Sequence, residues 1–358
     1  MNLISFLILS ILYLYGLIML KISLIARKKG EINAFFNNIT ISIVFILSIT
    51  LNFLIISFFF SFTISFIVFP FDILLLGFIM VFLPIFYVLI VHEKRKMRNR
   101  KDFEPSPLKV LPLKYDFYRK LTHLVVLAII LFYFTLGFLV KNFFVYLLKF
   151  FPEFFSELFF SIYTIEKNPM IFTQYLVVFL VSISLIGLLT ADFVRILKPE
   201  IYPLKPVNQI LREKELHMRL GPQISMAVGC FSIIILYGLF QPIGPFVICT
   251  SMTMAIFGDT ASNLIGRTVG DKYKYIRTSN KTYIGLFAGM IITFLSGIII
   301  LLILSEFYEI SPLGLLVLPI IGSVIIGILD YLDLEIDDNL TYIFILSTVL
   351  FFITILIE

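Results

Sequence analysis

Apolar runs, each close to the ~20 residues that cross a bilayer as a helix, follow one another along the chain with short polar breaks between them. Read between charged or Pro/Asn-marked breaks, ten runs qualify as spans: 3–20, 40–62, 71–91, 121–140, 171–194, 222–240, 244–265, 283–304, 313–332 and 340–357. The stretch 143–163 is apolar too, but Pro152, Glu153 and Glu157 make it an interfacial or re-entrant piece. The pattern predicts an all-α, polytopic integral membrane protein of about ten transmembrane helices. The first apolar run has neither a basic leader nor a small-residue cleavage site, so it reads as a retained span.

Composition agrees. Of 358 residues, 60% are hydrophobic and 14% charged, more apolar surface than a soluble domain of this size can bury. Trp is absent, so the 41 Phe and 17 Tyr must supply any interfacial belt. Cys230 and Cys249 lie inside apolar runs and read as small core residues rather than a disulfide or metal pair. No basic stretch interleaved with stacking aromatics is long enough to form a nucleic-acid groove.

The charges orient the spans. Loop 21–39 carries four Lys/Arg against one acid, loop 92–120 ten against four, loop 195–221 six against three, and loop 266–282 five against one. The alternate loops are neutral or acidic: 63–70 has no charge, 141–170 balances, and 305–312 holds only Glu306 and Glu309. The positive-inside bias puts the four basic loops in the cytosol and both termini outside. One turn on the cytosolic side is acidic, "YLDLEIDDNL", with Asp333, Glu335, Asp337 and Asp338; it is a candidate divalent-metal site. The expected organisation is an accessory three-helix unit over 1–91, a basic linker over 92–118, and a membrane domain of about seven helices over 119–358.

Four polar clusters sit at cytosolic helix ends. In "YRKLTHLVV", Arg119 and Lys120 share a helical face with His123, and cations at a helix N-terminus make an anion site. In "LTADFVRILKP", Asp192 and Arg195 are three apart and can pair, as can Arg212 and Glu215 in the following loop. His217 there reads as a surface histidine. In "MAIFGDTASNLIGRTVGDKYKY", helical spacing puts Asp259, Ser262, Asn263 and Gly266 on one face. An ionisable group that deep must be paired, hydrated or metal-bound. The exit beyond it supplies Arg267, Lys272, Lys274, Arg277 and Lys281, with glycines that let a backbone approach phosphate. The fourth cluster is the acidic turn, with Asp330 one helical turn further in. The glycine pattern is neither a Walker A loop nor a dinucleotide fingerprint.

Carboxylates, an amide and cations on one rim suit a magnesium-bound nucleotide, because phosphoryl transfer needs positioning and charge stabilisation rather than covalent chemistry. A site at the membrane edge lets a lipid alcohol present its hydroxyl from the bilayer. The residues by themselves fit a transporter with an ion-coupled polar core equally well.

The ordered elements "RKLTH", "ADFVR", "LREKE…G", "GDTASNLIGRTVGDK…SNKT..G" and "IDDNLT" resemble the CTP-dependent lipid kinase family, which includes dolichol, phytol and farnesol kinases and CTP-using diacylglycerol kinases. The resemblance covers about 115–345. It implies transfer of the γ-phosphate of CTP to a lipid hydroxyl, with Mg²⁺ or Ca²⁺. It matches Arg119, Lys120 and His123 to one element and Asp192 with Arg195 to a second. Gly258, Asp259, Gly266, Gly270 and Lys272 match a third. Ser279, Lys281, Thr282 and Gly285 match a fourth, and Asp337, Asp338 and Asn339 a fifth. Two positions depart: Ile284 stands where members often have Glu, and Tyr342, Ile343, Phe344 where they tend to have Pro.

The resulting expectation is a dolichol-type polyprenol kinase acting at the cytosolic face, of the plasma membrane in a prokaryote or the endoplasmic reticulum in a eukaryote. Asp259, Asp337 and Asp338 hold the metal, with Asn263 assisting. Arg119, Lys120, Arg195, Gly258, Gly266, Arg267, Gly270, Lys272 and Lys281 contact the nucleotide, and His123 or Asp192 is the base. The alternatives are diacylglycerol or phytol phosphorylation, CDP-lipid synthesis as in the related phosphatidate cytidylyltransferases (whose glycine pair and DR.D element are missing here), and a lipid or ion transporter.

Overall fold

A computed structural model describes residues 3–59, 65–98, 123, 125–163, 170–204, 211, 215, 217–269, 275–276 and 281–357. Twelve α-helices account for nearly all of them: α1 Leu3–Lys28, α2 Ile32–Phe59, α3 Phe71–Arg98, α4 Ala128–Phe134, α5 Leu136–Leu148, α6 Glu153–Ile162, α7 Met170–Leu197, α8 Pro222–Tyr237, α9 Ile243–Thr268, α10 Tyr283–Leu304, α11 Pro312–Leu332 and α12 Asp338–Ile357. Among the described residues there is no strand, only one antiparallel bridge between Tyr275 and Thr282. Apolar segments in lipid must satisfy every backbone group internally, which a helix does and an open strand does not.

Eight of these helices are long and apolar enough to cross a membrane. The ten-span expectation loses two members to geometry. The fourth run is broken at Thr135 into α4 and α5, which bend by 52° and form a broken span or a re-entrant loop. Gly137 sits just past the break, tight against the Phe132 carbonyl and the Thr173 side chain, so the chain turns where no side chain fits. The sixth run forms a helix of only 16 residues, α8. At 1.5 Å per residue it reaches about 24 Å, short of a ~30 Å hydrocarbon core. Beyond α5, Pro152 starts the separate short helix α6, whose Phe154 and Phe160 are exposed beside Glu153 and Glu157. The all-α, polytopic architecture stands.

The chain forms two compact units interleaved in sequence: residues 1–119 with 178–231, and 120–177 with 232–358. In the first, α1 packs on α2 through Ile8, Leu12, Met19, Ile41, Phe45 and Ile49, all fully buried. Phe45 meets Phe231 at 5.5 Å between ring centroids, and the Tyr15 hydroxyl bonds the Thr190 hydroxyl at 2.6 Å.

In the second unit α9 is the central helix, packed by α10, α11 and α12. Small residues allow the close approach of α9 and α10. A Cβ on Gly285 would stand 2.8 Å from the Ser262 carbonyl oxygen, and Gly258 lies against the Thr293 side chain. Further along the same helices Met254 fills the space left by Gly297 and Gly322. Tyr237 stacks on Phe351 at 4.5 Å where α8 meets α12.

Candidate active site

Four helix ends in the second unit meet at one polar cluster: the last turns of α9 and α11 and the first turns of α10 and α12. Local sequence explains each. Thr282 has extended backbone and accepts a hydrogen bond from the Gly285 amide at 3.3 Å, so it caps α10. Ile276 donates its amide to the Lys281 carbonyl at 2.8 Å, and the Tyr275–Thr282 bridge fixes the same segment, so the backbone under Lys281 is held from both sides. Asp333 ends α11 in the left-handed conformation, φ 45°, which Asp tolerates better than most side chains. Asp337 caps α12: its Oδ1 accepts from the Asn339 amide at 3.0 Å and from Asn339 Nδ2 at 2.7 Å.

Lys281 is the centre of the cluster. Its ammonium lies 3.0 Å from Asp330 Oδ1, 3.0 Å from Asp338 Oδ2 and 3.3 Å from Asp333 Oδ1. Burial alone would lower the pKa of this lysine, but Asp338 and Asp330 outweigh it and drive the pKa above the ordinary value. Asp330, 3% exposed, has further donors: Ser262 Oγ reaches its Oδ2 at 2.5 Å and the Tyr342 hydroxyl its Oδ1 at 2.8 Å. One turn before Ser262 on α9, buried Asp259 accepts from Asn263 Nδ2 at 2.6 Å. Asp259 and Asp337 both act electrostatically on Asp338. Among the described residues, the acids at this cluster outnumber the ammonium of Lys281.

Of the residues expected at the site, Asp259, Asn263, Lys281, Asp337 and Asp338 fall in this cluster. Gly258 and Gly266 are different: both lie inside helix α9 and face α10, so their missing side chains serve helix contact. Arg267 is half-buried in the last turn of α9. His123 is buried in the same unit. Arg119, Lys120, Gly270 and Lys272 lie outside the described residues, as do Lys274, Arg277, Ser279 and Arg212.

Asp330, placed one helical turn inside the acidic turn by the sequence, is at the cluster, and Tyr342, given no role in the sequence-based expectation, joins it. Tyr342 stands four residues after Asp338, hence on the same face of α12, which is the signal that points to it.

Asp192 and Arg195 belong to the first unit and form a different arrangement. Arg195 Nε donates to Asp192 Oδ1 at 2.5 Å, while its Nη1 and Nη2 donate to the carbonyls of Glu215 at 3.0 Å and Arg219 at 2.7 Å. The other oxygen of Asp192 accepts from the Gly221 amide at 3.0 Å. Asn38 of α2 accepts from the Leu220 amide at 2.9 Å and donates to the Met218 carbonyl at 2.7 Å, and Arg219 reaches Asn37 Oδ1 at 3.1 Å. The expected pairing of Asp192 with Arg195 is thus present; the pair holds Glu215, Arg219 and Gly221 to α7, while Asn37 and Asn38 hold Met218, Arg219 and Leu220 to α2. Both side chains are almost fully buried.

The donor chemistry bears on a metal. All available groups are hard oxygen donors, which suit Mg²⁺ or Ca²⁺ and not a soft transition metal. Among the described residues, however, no group of three or more His, Cys, Asp or Glu side chains is arranged to hold an ion unaided. Mg²⁺ commonly binds through one or two carboxylates plus substrate phosphates and water. Any ion at this cluster would therefore need ligands beyond these side chains. Comparison with family models, with curated proteins and with solved structures finds no match to this chain.

Proposed function

We propose that this protein is a CTP-dependent kinase that transfers the γ-phosphate of CTP to the hydroxyl of a membrane lipid alcohol, a dolichol-type polyprenol in particular, at the cytosolic membrane face. The observation that carries the reading is the convergence of Asp259, Asn263, Ser262, Lys281, Asp330, Asp338 and Tyr342 from four helix ends. A cluster of carboxylates around the Lys281 ammonium, at helix ends of a largely apolar bundle, supplies what phosphoryl transfer needs at a membrane surface.

Asp259 and Asp338 are the groups that would hold Mg²⁺, and the metal would supply charge neutralisation across the phosphates. Asn263 holds the Asp259 carboxylate in one orientation by its 2.6 Å hydrogen bond. Asp337 supports the set by capping α12 and thereby fixing the position of Asp338. Ser262 and Tyr342 do the same for Asp330. Lys281 meets the negative charge of the transferring phosphoryl group.

Of the two base candidates, Asp192 has both oxygens bonded to Arg195 and Gly221 in the first unit, whereas His123 is buried in the unit that holds the cluster and is the base in this proposal. In the reaction the lipid hydroxyl gives up its proton to the base, its oxygen forms the new bond to the γ-phosphorus, and the bond to the β–γ bridging oxygen breaks. The products are the lipid phosphate and CDP. The test is incubation of purified protein with Mg²⁺, labelled CTP and a panel of lipid alcohols. Label in a polyprenyl phosphate supports the proposal; label in no lipid overturns it.

A further inference from the structure

We infer that Lys141, on α5, binds the phosphate of an anionic membrane phospholipid at the end of the second unit opposite the acidic cluster. Lys141 is the only charged residue between Ala128 and Leu148, the stretch that makes the bent pair α4 and α5. A cation in so apolar a helix must be paired, hydrated or carried to the interface. Lys141 is 9% exposed, and among the described residues it has no ion pair and no hydrogen bond. Glu153 and Glu157 of neighbouring α6 are exposed, and neither is paired with it.

Packing shows where the side chain runs. Three residues of α5 are buried, Gly137, Lys141 and Leu148, and helical spacing puts them on one stripe. At one end of the stripe Gly137 lies against Thr173 in the first turn of α7. At the other end the Leu148 carbonyl accepts from Ser156 Oγ of α6 at 3.4 Å. Phe144, one turn after Lys141, packs on Phe172 with ring centroids 6.0 Å apart. Lys141 thus lies in the seam that α5 makes with α6 and the start of α7. Its four-carbon stem is covered there, while the ammonium is not sealed in and reaches the surface of the bundle.

That surface suits a phospholipid head group. The N-terminus of α7 adds the positive end of its dipole to the lysine. Phe143 and Tyr146 of α5, and Phe150 just beyond it, are exposed, as aromatic side chains at a membrane interface are. Phe134, the last residue of α4, meets Phe307 beyond the last turn of α10, whereas the acidic cluster lies at the first turn of α10. Lys141 follows Phe134 within two helical turns, so the lipid site and the acidic cluster sit at opposite ends of the unit. The site is independent of the reaction proposed above.

The chain has no tryptophan, so one introduced indole reports its own surroundings. Full-length protein carrying Phe143→Trp, an aromatic swap at an exposed position, is placed in phosphatidylcholine nanodiscs. These are doped with either brominated phosphatidylglycerol or brominated phosphatidylcholine at the same fraction, and quenching of the tryptophan is read. Expected is preferential quenching by the anionic lipid, corresponding to about fivefold local enrichment, the equivalent of about 1 kcal/mol for one lysine. The preference should vanish when Lys141→Met is added and survive with Lys141→Arg. Equal quenching by the two lipids with Lys141 intact overturns the inference, and that comparison needs no variant at position 141 to fold. So does a preference that persists in Lys141→Met. A preference that inorganic phosphate abolishes also overturns it, since the occupant would then be a free anion from water.

Discussion

Two buried carboxylates that look alike along the chain behave differently at the residue scale. Asp192 faces Arg195 and the Gly221 amide inside the first unit, so its charge is paired there. Removing one member of a buried pair leaves the other uncompensated, at a cost of about 3–5 kcal/mol. Arg195→Met is therefore expected to lower unfolding stability in detergent by that order. Arg195→Met combined with Asp192→Asn should recover a good part of the loss, because an asparagine oxygen still accepts from Gly221. Asp259 instead lies among other acids with Asn263 as its donor. Asp259→Asn is expected to leave thermal stability unchanged while lipid phosphorylation falls on the order of a hundredfold or more. A variant that keeps most of its turnover would remove Asp259 from the site. Periodicity alone put Asp259, Ser262 and Asn263 on one face, and that part of the site was readable from spacing. The threefold pairing of Lys281 was not: its partners are 49 to 57 residues away in the chain, and no local pattern encodes which acids a lysine meets.

Elements tell a related story. The glycines of the "GDTASNLIG" stretch and of Gly285 read equally well as phosphate-loop residues or as helix-contact residues. Packing shows the contact: Gly258 and Gly266 are helical and α10 runs close against them. A larger side chain at Gly285 meets the Ser262 carbonyl at 2.8 Å, and that atom belongs to the backbone and cannot move aside. Gly285→Val should thus separate α9 from α10, lowering the melting temperature and the activity together. Gly77, with open space around it on α3, is the control: Gly77→Ala should be neutral or stabilising by about 0.5–1 kcal/mol. Equal behaviour of the two variants in a melting experiment would contradict the packing account. Element existence was legible because apolar runs near 20 residues have few other solutions. The breaks were less so: the bend at Thr135 and the end of α8 at Tyr237 both fall inside runs read as single spans.

For the whole molecule, hydropathy gave the membrane class but not the interleaving of the two units, in which α7 and α8 each contribute to both. The charge bias makes a separate claim, that the ends carrying Lys281 and the "EIDDN" turn face the cytosol. Because both native cysteines are buried, single introduced cysteines report sidedness cleanly. Glu306→Cys should react with an impermeant maleimide from outside intact cells and Asp333→Cys only after permeabilisation; the reverse pattern would invert the topology. The central claim is the reaction itself, and the position of the label tests it most directly. Purified protein is given Mg²⁺, a polyprenol or phosphatidate, and CTP labelled either at the γ- or at the α-phosphorus. The account predicts that γ-label alone enters the lipid, that the acceptor is the polyprenol, and that unlabelled lipid plus labelled CDP result from the α-labelled reagent. Transfer of α-label to phosphatidate, or no transfer from either reagent, would contradict it.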